Sequence, residues 1–185
     1  VMTDNSTDTE RYQAKVERIL DDLVTIGNKA QSTETVLAAE PLSNKSIPLS
    51  ELISDAIATV ESDYESVPTA VSVPQEITVR INPVILQSVI EELIENAVRH
   101  SNCTKITVEY APESSCLIIT DDGSGIPPHE IEVLDNEQET DLQHGSGLGL
   151  WLIKWGTDRF GGSVTFEADQ SGTRVEITLP TELIT

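Results

Sequence analysis

Residues 77–100 read ITVRINPVILQSVIEELIENAVRH, and the fold turns on how that run divides. Ile77, Val79 and Ile81 alternate with Thr78 and Arg80, the period-two pattern of a half-buried strand. Pro83 then suits the first turn of a helix, where its missing N–H goes unneeded. From Ile85 to His100 the apolar residues Leu86, Val89, Ile90, Leu93, Ile94 and Ala97 recur at spacings of three and four. That stripe is broad enough to face a core.

Toward the C-terminus the chain keeps alternating between the two periods. Lys105 to Tyr110 and Cys116 to Thr120 read as strands joined by the turn Pro112-Glu-Ser-Ser115, a hairpin. Residues 127–144, from Pro127 to His144, are acidic and weakly apolar and read as a loop. A helix is expected from about Leu148 to Phe160, stopped by Gly161-Gly162, with strands near Ser163 to Glu167 and Arg174 to Leu179. Toward the N-terminus, Leu52, Ile53, Ile57 and Val60 place a helix over Ser50 to Tyr64. Hairpins stand where a doubly wound sheet would need crossovers, so the expected class is α+β, a two-layer α/β sandwich with a mixed sheet.

Ahead of this unit, Tyr12, Val16, Ile19, Leu23, Ile26, Ala30, Thr33 and Leu37 form an a/d heptad seam, interrupted by Gly27. A seam this narrow suits a helix partner, so a coiled-coil-like helix in a helical hairpin or dimer is expected, with a helix lying on its own domain as the alternative. Pro41 and the polar stretch Ser43 to Ser46 mark its end.

The 185 residues hold 11 Lys and Arg against 32 Asp and Glu, a formal charge of −21. Such a surface repels phosphate backbones, and the cations form no basic stripe, which argues against nucleic-acid binding. The acidic residues are spread among the apolar ones rather than gathered in a tail, the pattern of a shell suited to high salt, so a halophilic source is expected. No apolar run approaches a membrane span, and the polar start lacks the layout of a signal peptide, which suggests a cytoplasmic chain. Cys103 and Cys116 form no metal-site or disulfide spacing and read as reduced thiols. The one methionine, Met2, follows Val1, which suggests a piece of something longer.

Three constellations carry chemistry. Glu92, Asn96 and Arg99 lie four and three apart, on a helix face expected to point away from the apolar stripe. A carboxylate and an amide oxygen suit Mg²⁺ completed by phosphates, with Arg99 meeting phosphate charge; an ordinary solvated face is the alternative. Asp121-Asp122-Gly123-Ser124-Gly125-Ile126-Pro127 follows an apolar strand, where a carboxylate can accept from the exocyclic amine of adenine and glycines allow close backbone approach. A plain Asp-Gly turn is the alternative. His144-Gly145-Ser146-Gly147-Leu148-Gly149-Leu150-Trp151 is a glycine-rich turn feeding a helix, an anion site made of free N–H groups or else a flexible hinge. It is neither a Walker A loop nor a Rossmann fingerprint.

Taken in order, Glu-x-x-x-Asn, Asp-x-Gly-x-Gly and Gly-x-Gly-Leu-Gly-Leu, with Gly172-Thr173 in the last hairpin, resemble the Bergerat-type ATP-binding fold. Sensor histidine kinases, DNA gyrase, the ninety-kilodalton heat-shock chaperone and mismatch-repair ATPases share it. The resemblance covers about Ile47 to Pro180, and the short loop and the ending Gly-Gly-Ser-Val-Thr-Phe are most similar to a histidine kinase, with the acidity suggesting a haloarchaeal one. It implies ATP and Mg²⁺ as cofactors. Asn96 would ligate the metal, Glu92 would be a second ligand or a base, and Arg99 would approach the phosphates. His100 would lie near ribose or adenine, and Asp121 would bind the adenine amine, assisted by Thr173 through water. Gly123, Gly125 and Ile126 would shape the base pocket. His144, Gly145, Ser146, Gly147, Leu148, Gly149 and Leu150 would wrap the triphosphate.

The same resemblance divides the chain into a disordered start over 1–9, the second helix of a dimerisation and phosphoacceptor hairpin over 10–40, and the ATP-binding domain over 45–185. It implies a homodimer through the N-terminal helix region, a response regulator receiver domain as partner, and an upstream sensor outside this chain. Departures are specific. The Phe-rich box of many relatives is absent, with Ile131, Leu134 and Leu142 in its place, and residues 127–144 hold no Lys or Arg. The leading helix has no histidine, so the acceptor is expected upstream; His129-Glu130 follows Ile-Pro-Pro and reads as a decoy. A non-catalytic nucleotide-binding module and a hydrolytic ATPase using Glu92 remain as alternatives.

Overall fold

The computed structural model describes residues 5–64, 66–135 and 147–185. The helices are α1 (Asn5–Ala38), α2 (Leu49–Asp63), α3 (Pro83–His100), α4 (Pro128–Asp135) and α5 (Gly147–Arg159). The strands are β1 (Leu42–Pro48), β2 (Thr69–Ser72), β3 (Thr78–Ile81), β4 (Ile106–Ala111), β5 (Cys116–Asp121), β6 (Ser163–Asp169) and β7 (Gly172–Thr178). The main sheet runs β2-β4-β5-β7-β6, with β2 parallel to β4 and every other pairing antiparallel. This is the mixed sheet expected of the α+β class.

The quoted run behaves as its periods dictate. Asn82 caps α3, its side chain accepting from the Val84 N–H at 3.0 Å, and Pro83 occupies the first turn. Asn102, at φ 51°, turns the chain away just after the helix, a left-handed exit that Asn tolerates. Between these ends Ile85, Leu86, Val89 and Ile90 are fully buried, each contributing roughly 1.5–3 kcal/mol by leaving water. Across from them β4, β5 and β7 turn Ile106, Val108, Leu117, Ile119, Val175 and Ile177 inward. The helices α2, α3 and α5 thus form one layer and the five-stranded sheet the other.

Several expectations are corrected. Helix α1 ends at Ala38, ahead of Pro41 as expected, but the stretch around Ser43 to Ser46 is strand: β1 pairs with β3 through an irregular register between Leu42 and Ile47. Its polar residues hid it, because a strand held by a partner's hydrogen bonds does not require apolar alternation of its own. The small β1–β3 ribbon is then strapped by the C-terminus, Thr78 and Thr185 exchanging backbone hydrogen bonds at 2.9 Å. Residues 5–9 are helical, since α1 starts at Asn5. Residues 128–135, expected as loop, form α4, whose Leu134 is buried. Strand β2 had no sequence signal and exists as the parallel neighbour of β4.

Helix α1 lies against α5 and α3 by a face that takes only Thr33 from the described part of the seam. Lys29, Thr33 and Val36 face inward at 5%, 8% and 1% exposure, whereas Leu23, Ile26 and Leu37 of the heptad seam are 59%, 42% and 45% exposed. One helix therefore carries two faces, one docked on the domain and one open. Among the described residues no helix is long and apolar enough to cross a membrane.

Candidate functional site

A cavity of about 620 Å³ opens between α3, the ends of β5 and β7, and the loop that follows β5. Its floor is apolar, from Leu93, Ala97, Ile119, Ile126, Leu150 and Val175. Thr25 and Ile26 of α1 close one side. Size and lining are those of a small-molecule site, typically about 300–1,000 Å³ with a few placed polar groups.

Asp121 is one of those groups. It ends β5, directly opposite Thr173 of β7, and the two are 8% and 6% exposed. Both line the cavity. One carboxylate oxygen of Asp121 accepts from the Gly123 N–H at 2.8 Å, which fixes the side chain. Asp122 does different work: it accepts from Thr104 N, Thr104 Oγ1 and Lys105 N at 2.7, 2.6 and 2.9 Å. Those bonds, the Thr104 hydroxyl first, hold its carboxyl below the usual range and pin the loop to the start of β4. Gly125 sits at φ +76°, where a Cβ would strike the Asp169 carbonyl in the β6–β7 turn. Gly123 lies beside Ser101 and shapes the loop from behind, outside the cavity wall.

Asn96 and Arg99 reach the cavity from α3. The Asn96 side-chain nitrogen is buried with no hydrogen-bond partner, an orphan that a ligand would satisfy. An amide can present either its oxygen or its nitrogen to that space. Arg99 is tethered at the rim: its guanidinium donates to Glu95 at 2.8 Å and lies 5.8 Å from the Tyr64 ring centre, while the Tyr64 hydroxyl donates to Glu95 at 3.0 Å. Burial alone would lower the Arg99 pKa, but the Glu95 bond and surrounding negative charge hold it above the ordinary value.

Glu92 departs from expectation. The face it shares with Asn96 and Arg99 is not solvated, because α1 covers it; Glu92 is 5% exposed and ion-paired to Lys29. It lines a second, smaller cavity of about 220 Å³ with Asp63, Glu91, Glu95, Tyr64 and Lys29. Burial pushes its carboxyl above the ordinary range, and Lys29 pulls it back only in part. Gly149 abuts this pair, and a Cβ there would collide with the Glu92 carboxylate beside the Lys29 ammonium.

Of the glycine-rich motif, Gly147, Leu148, Gly149 and Leu150 form the first turn of α5, and only Leu150 lines the cavity. His144, Gly145 and Ser146 lie outside the described residues, as does Leu142, and nothing is described of the His100 side chain. Glu130 of α4, read from the sequence only as part of a His-Glu decoy, lines the cavity. Neither Lys29, Glu95 nor Tyr64 had a sequence signal beyond charge or aromaticity, for their roles come from partners 31–63 positions away. Among the described residues no cluster of three or more His, Cys, Asp or Glu is arranged to hold a metal unaided.

Residues 81–183 match the family model for the histidine kinase-, DNA gyrase B-, and HSP90-like ATPase. Sensor histidine kinase CpxA of Escherichia coli (strain K12) is 26% identical over 190 aligned positions, covering 95% of this chain and 40% of CpxA. Sensor protein CreC of the same strain is 28% identical over 174 positions, covering 85% and 36%. The chain thus spans well under half the length of these relatives. The solved mycobacterial sensor histidine kinase MprB superposes with a TM-score of 0.61 at 25% identity, over 74% of this chain and 97% of that one. Histidine kinase AdeS of Acinetobacter baumannii gives 0.62 at 17% identity over 97% and 86%, a likeness of fold.

Proposed function

Because this chain belongs to the histidine kinase-, DNA gyrase B-, and HSP90-like ATPase family, we propose that it is the ATP-binding catalytic region of a sensor histidine kinase in two-component signalling. The observation that carries this is the cavity itself, lined at once by a fixed carboxylate, Asp121, with Thr173 opposite it in the sheet, and by an unpartnered buried amide, Asn96, with Arg99. A carboxylate accepts from the adenine amine and would repel the carbonyl of guanine. Thr173 assists through water, Gly125 and Ile126 shape the base site, and Gly123 contributes from behind by holding the Asp121 carboxylate. Arg99 and His100 approach phosphates and ribose, and the segment from His144 through Gly145, Ser146, Gly147, Leu148, Gly149 and Leu150 wraps the triphosphate. The first-turn N–H groups of α5 favour anions there.

A nucleotide-bound Mg²⁺ fits the Asn96 orphan amide, which lines the cavity, while the Glu92 carboxylate, held by Lys29 in the neighbouring cavity, would join only on leaving that pair; phosphates complete such a shell. Bound there, the ion neutralises phosphate charge. Catalysis is otherwise positioning: the chain holds the γ-phosphoryl in line for attack by a histidine nitrogen, whose N–P bond forms as the bond to the bridging oxygen of ADP breaks. That histidine belongs to a hairpin of which residues 10–40 are the second helix, with 45–185 as the ATP-binding domain. The open seam of α1 supports dimerisation through this region. A response regulator receiver domain is the downstream partner and a sensor precedes the hairpin. The charge of −21 fits a halophilic, haloarchaeal source, in which case the melting temperature rises steeply with KCl and a flat response removes that reading.

Calorimetric titration in molar KCl tests the function. Magnesium-dependent binding of ATP in preference to GTP, followed by phosphate transfer to a histidine-bearing hairpin, is expected. Equal binding of both nucleotides overturns the adenine assignment, and binding without transfer moves the chain to the class of regulatory nucleotide-binding modules.

A further inference from the structure

One buried ion pair between α1 and α3 is not used by the proposed reaction. Lys29 of α1 reaches across to α3, where its ammonium pairs with Glu92 and lies 3.9 Å from Glu95. Both members of the Lys29–Glu92 pair have side chains only 6% exposed. Around them stand Asp63 and Glu91 as well, so the one cation described there sits within four carboxylates. Lys29 does not line the larger cavity with Asp121; it points into the acidic one. Thr25, one turn before it on α1, lines both, and Thr25 and Ile26 form a side of the larger cavity. The pair therefore stands at the partition between the two spaces, with Gly149 of the phosphate-side helix against it.

Glu92 cannot give the same lone pairs to an ammonium and to a divalent cation. We propose that Lys29 is a latch that competes with nucleotide-bound magnesium for Glu92, so that seating α1 on the domain and loading Mg-ATP oppose each other. The inference rests on the reading that Asn96 and Glu92 serve the metal. An alternative role for Lys29, as the phosphate-contacting cation that residues 127–144 lack, predicts the opposite sign. The geometry favours the latch, since Lys29 lines the acidic pocket, beside Glu92 and Glu95, and not the cavity that holds Asp121. Linkage makes the effect reciprocal: whatever factor α1 seating takes from Mg-ATP affinity, Mg-ATP takes from α1 seating.

The test titrates wild type and Lys29→Met, on the full chain, with ATP in Mg²⁺ and with ATP in EDTA. The expected result is Mg-ATP binding tightened by about fivefold or more in Lys29→Met, the lower end of typical coupling, with metal-free ATP affinity within about twofold. Unchanged or weaker Mg-ATP binding in the variant, beside clear binding by wild type, overturns the latch alone. Absence of ATP binding in both proteins overturns the site reading and the latch together. Amide hydrogen exchange of wild type gives a second readout that needs no variant. Exchange across residues 25–36 should speed up on adding Mg-ATP and stay unchanged with ATP in EDTA; equal protection in both sinks the proposal.

Discussion

The two cavities flanking the C-terminal half of α3 differ in how their polar groups are satisfied. In the smaller one each lining carboxylate has a partner: Lys29 on Glu92, Tyr64 on Glu95, Gln87 on Glu91 at 2.9 Å and Ser62 on Asp63 at 3.2 Å. In the larger one the walls are apolar, and the Asn96 amide end is buried without a partner. A buried polar group left open forgoes about 1–3 kcal/mol that a ligand can return, whereas a closed network has nothing further to gain from one. Charge density alone would have pointed to the wrong space, because the more acidic cavity is the self-satisfied one.

Substitutions on the two sides should separate by readout. The largest effect is expected from Asp121→Asn, which should weaken ATP binding by about 1.5–3 kcal/mol, the range for a hydrogen bond to a charged group, with little change in unfolding midpoint. Calorimetry and urea denaturation on the same sample check both halves. A stability loss without an affinity loss would place Asp121 among the structural groups instead. Tyr64→Phe should do the reverse, lowering stability by about 1 kcal/mol through the lost bond to Glu95 while moving ATP affinity less than Asp121→Asn does.

The smallest effect is a pH dependence. Burial raises the half-buried Glu91 carboxyl above its ordinary value of about 4.5, with Gln87 and Thr59 pulling it partly back. A raised folded pKa contributes stability that is complete below the ordinary value and is lost as pH rises through the folded one. Wild type should therefore lose stability relative to Glu91→Gln between about pH 4 and about pH 7. Equal urea midpoint differences at both ends would show that the acidic cavity is wetter than its packing suggests.

Much of the fold was legible because its elements bury their own periodic faces. The run 77–100 divides as its two periods dictate, and the β4–β5 hairpin and α5 lie within a residue or two of expectation. What stayed hidden depends on distant partners. Strand β1 exists because β3 lies beside it, and a heptad count picks out only Thr33 of the docked face of α1, since Lys29 and Val36 fall off the seam. The site was half legible in the same way. Asp-Asp-Gly announces a special turn, but only the register opposite Thr173 tells the inward Asp121 from the loop-pinning Asp122. Glu92 looked solvated because the sequence holds no sign that Lys29, 63 positions earlier, would cover it.

Helix α1 has 34 residues, roughly 50 Å of rod, yet its inward contacts gather near its C-terminal third at Lys29, Thr33 and Val36. Val16, Leu20 and Leu23, a few turns away, stand in solvent. Such a rod is a lever with its fulcrum beside the nucleotide cavity. A tilt of about ten degrees there would sweep the far end, roughly 40 Å off, through about 7 Å. Events at a single carboxylate would then be read out as displacement at the end where a second helix would pair.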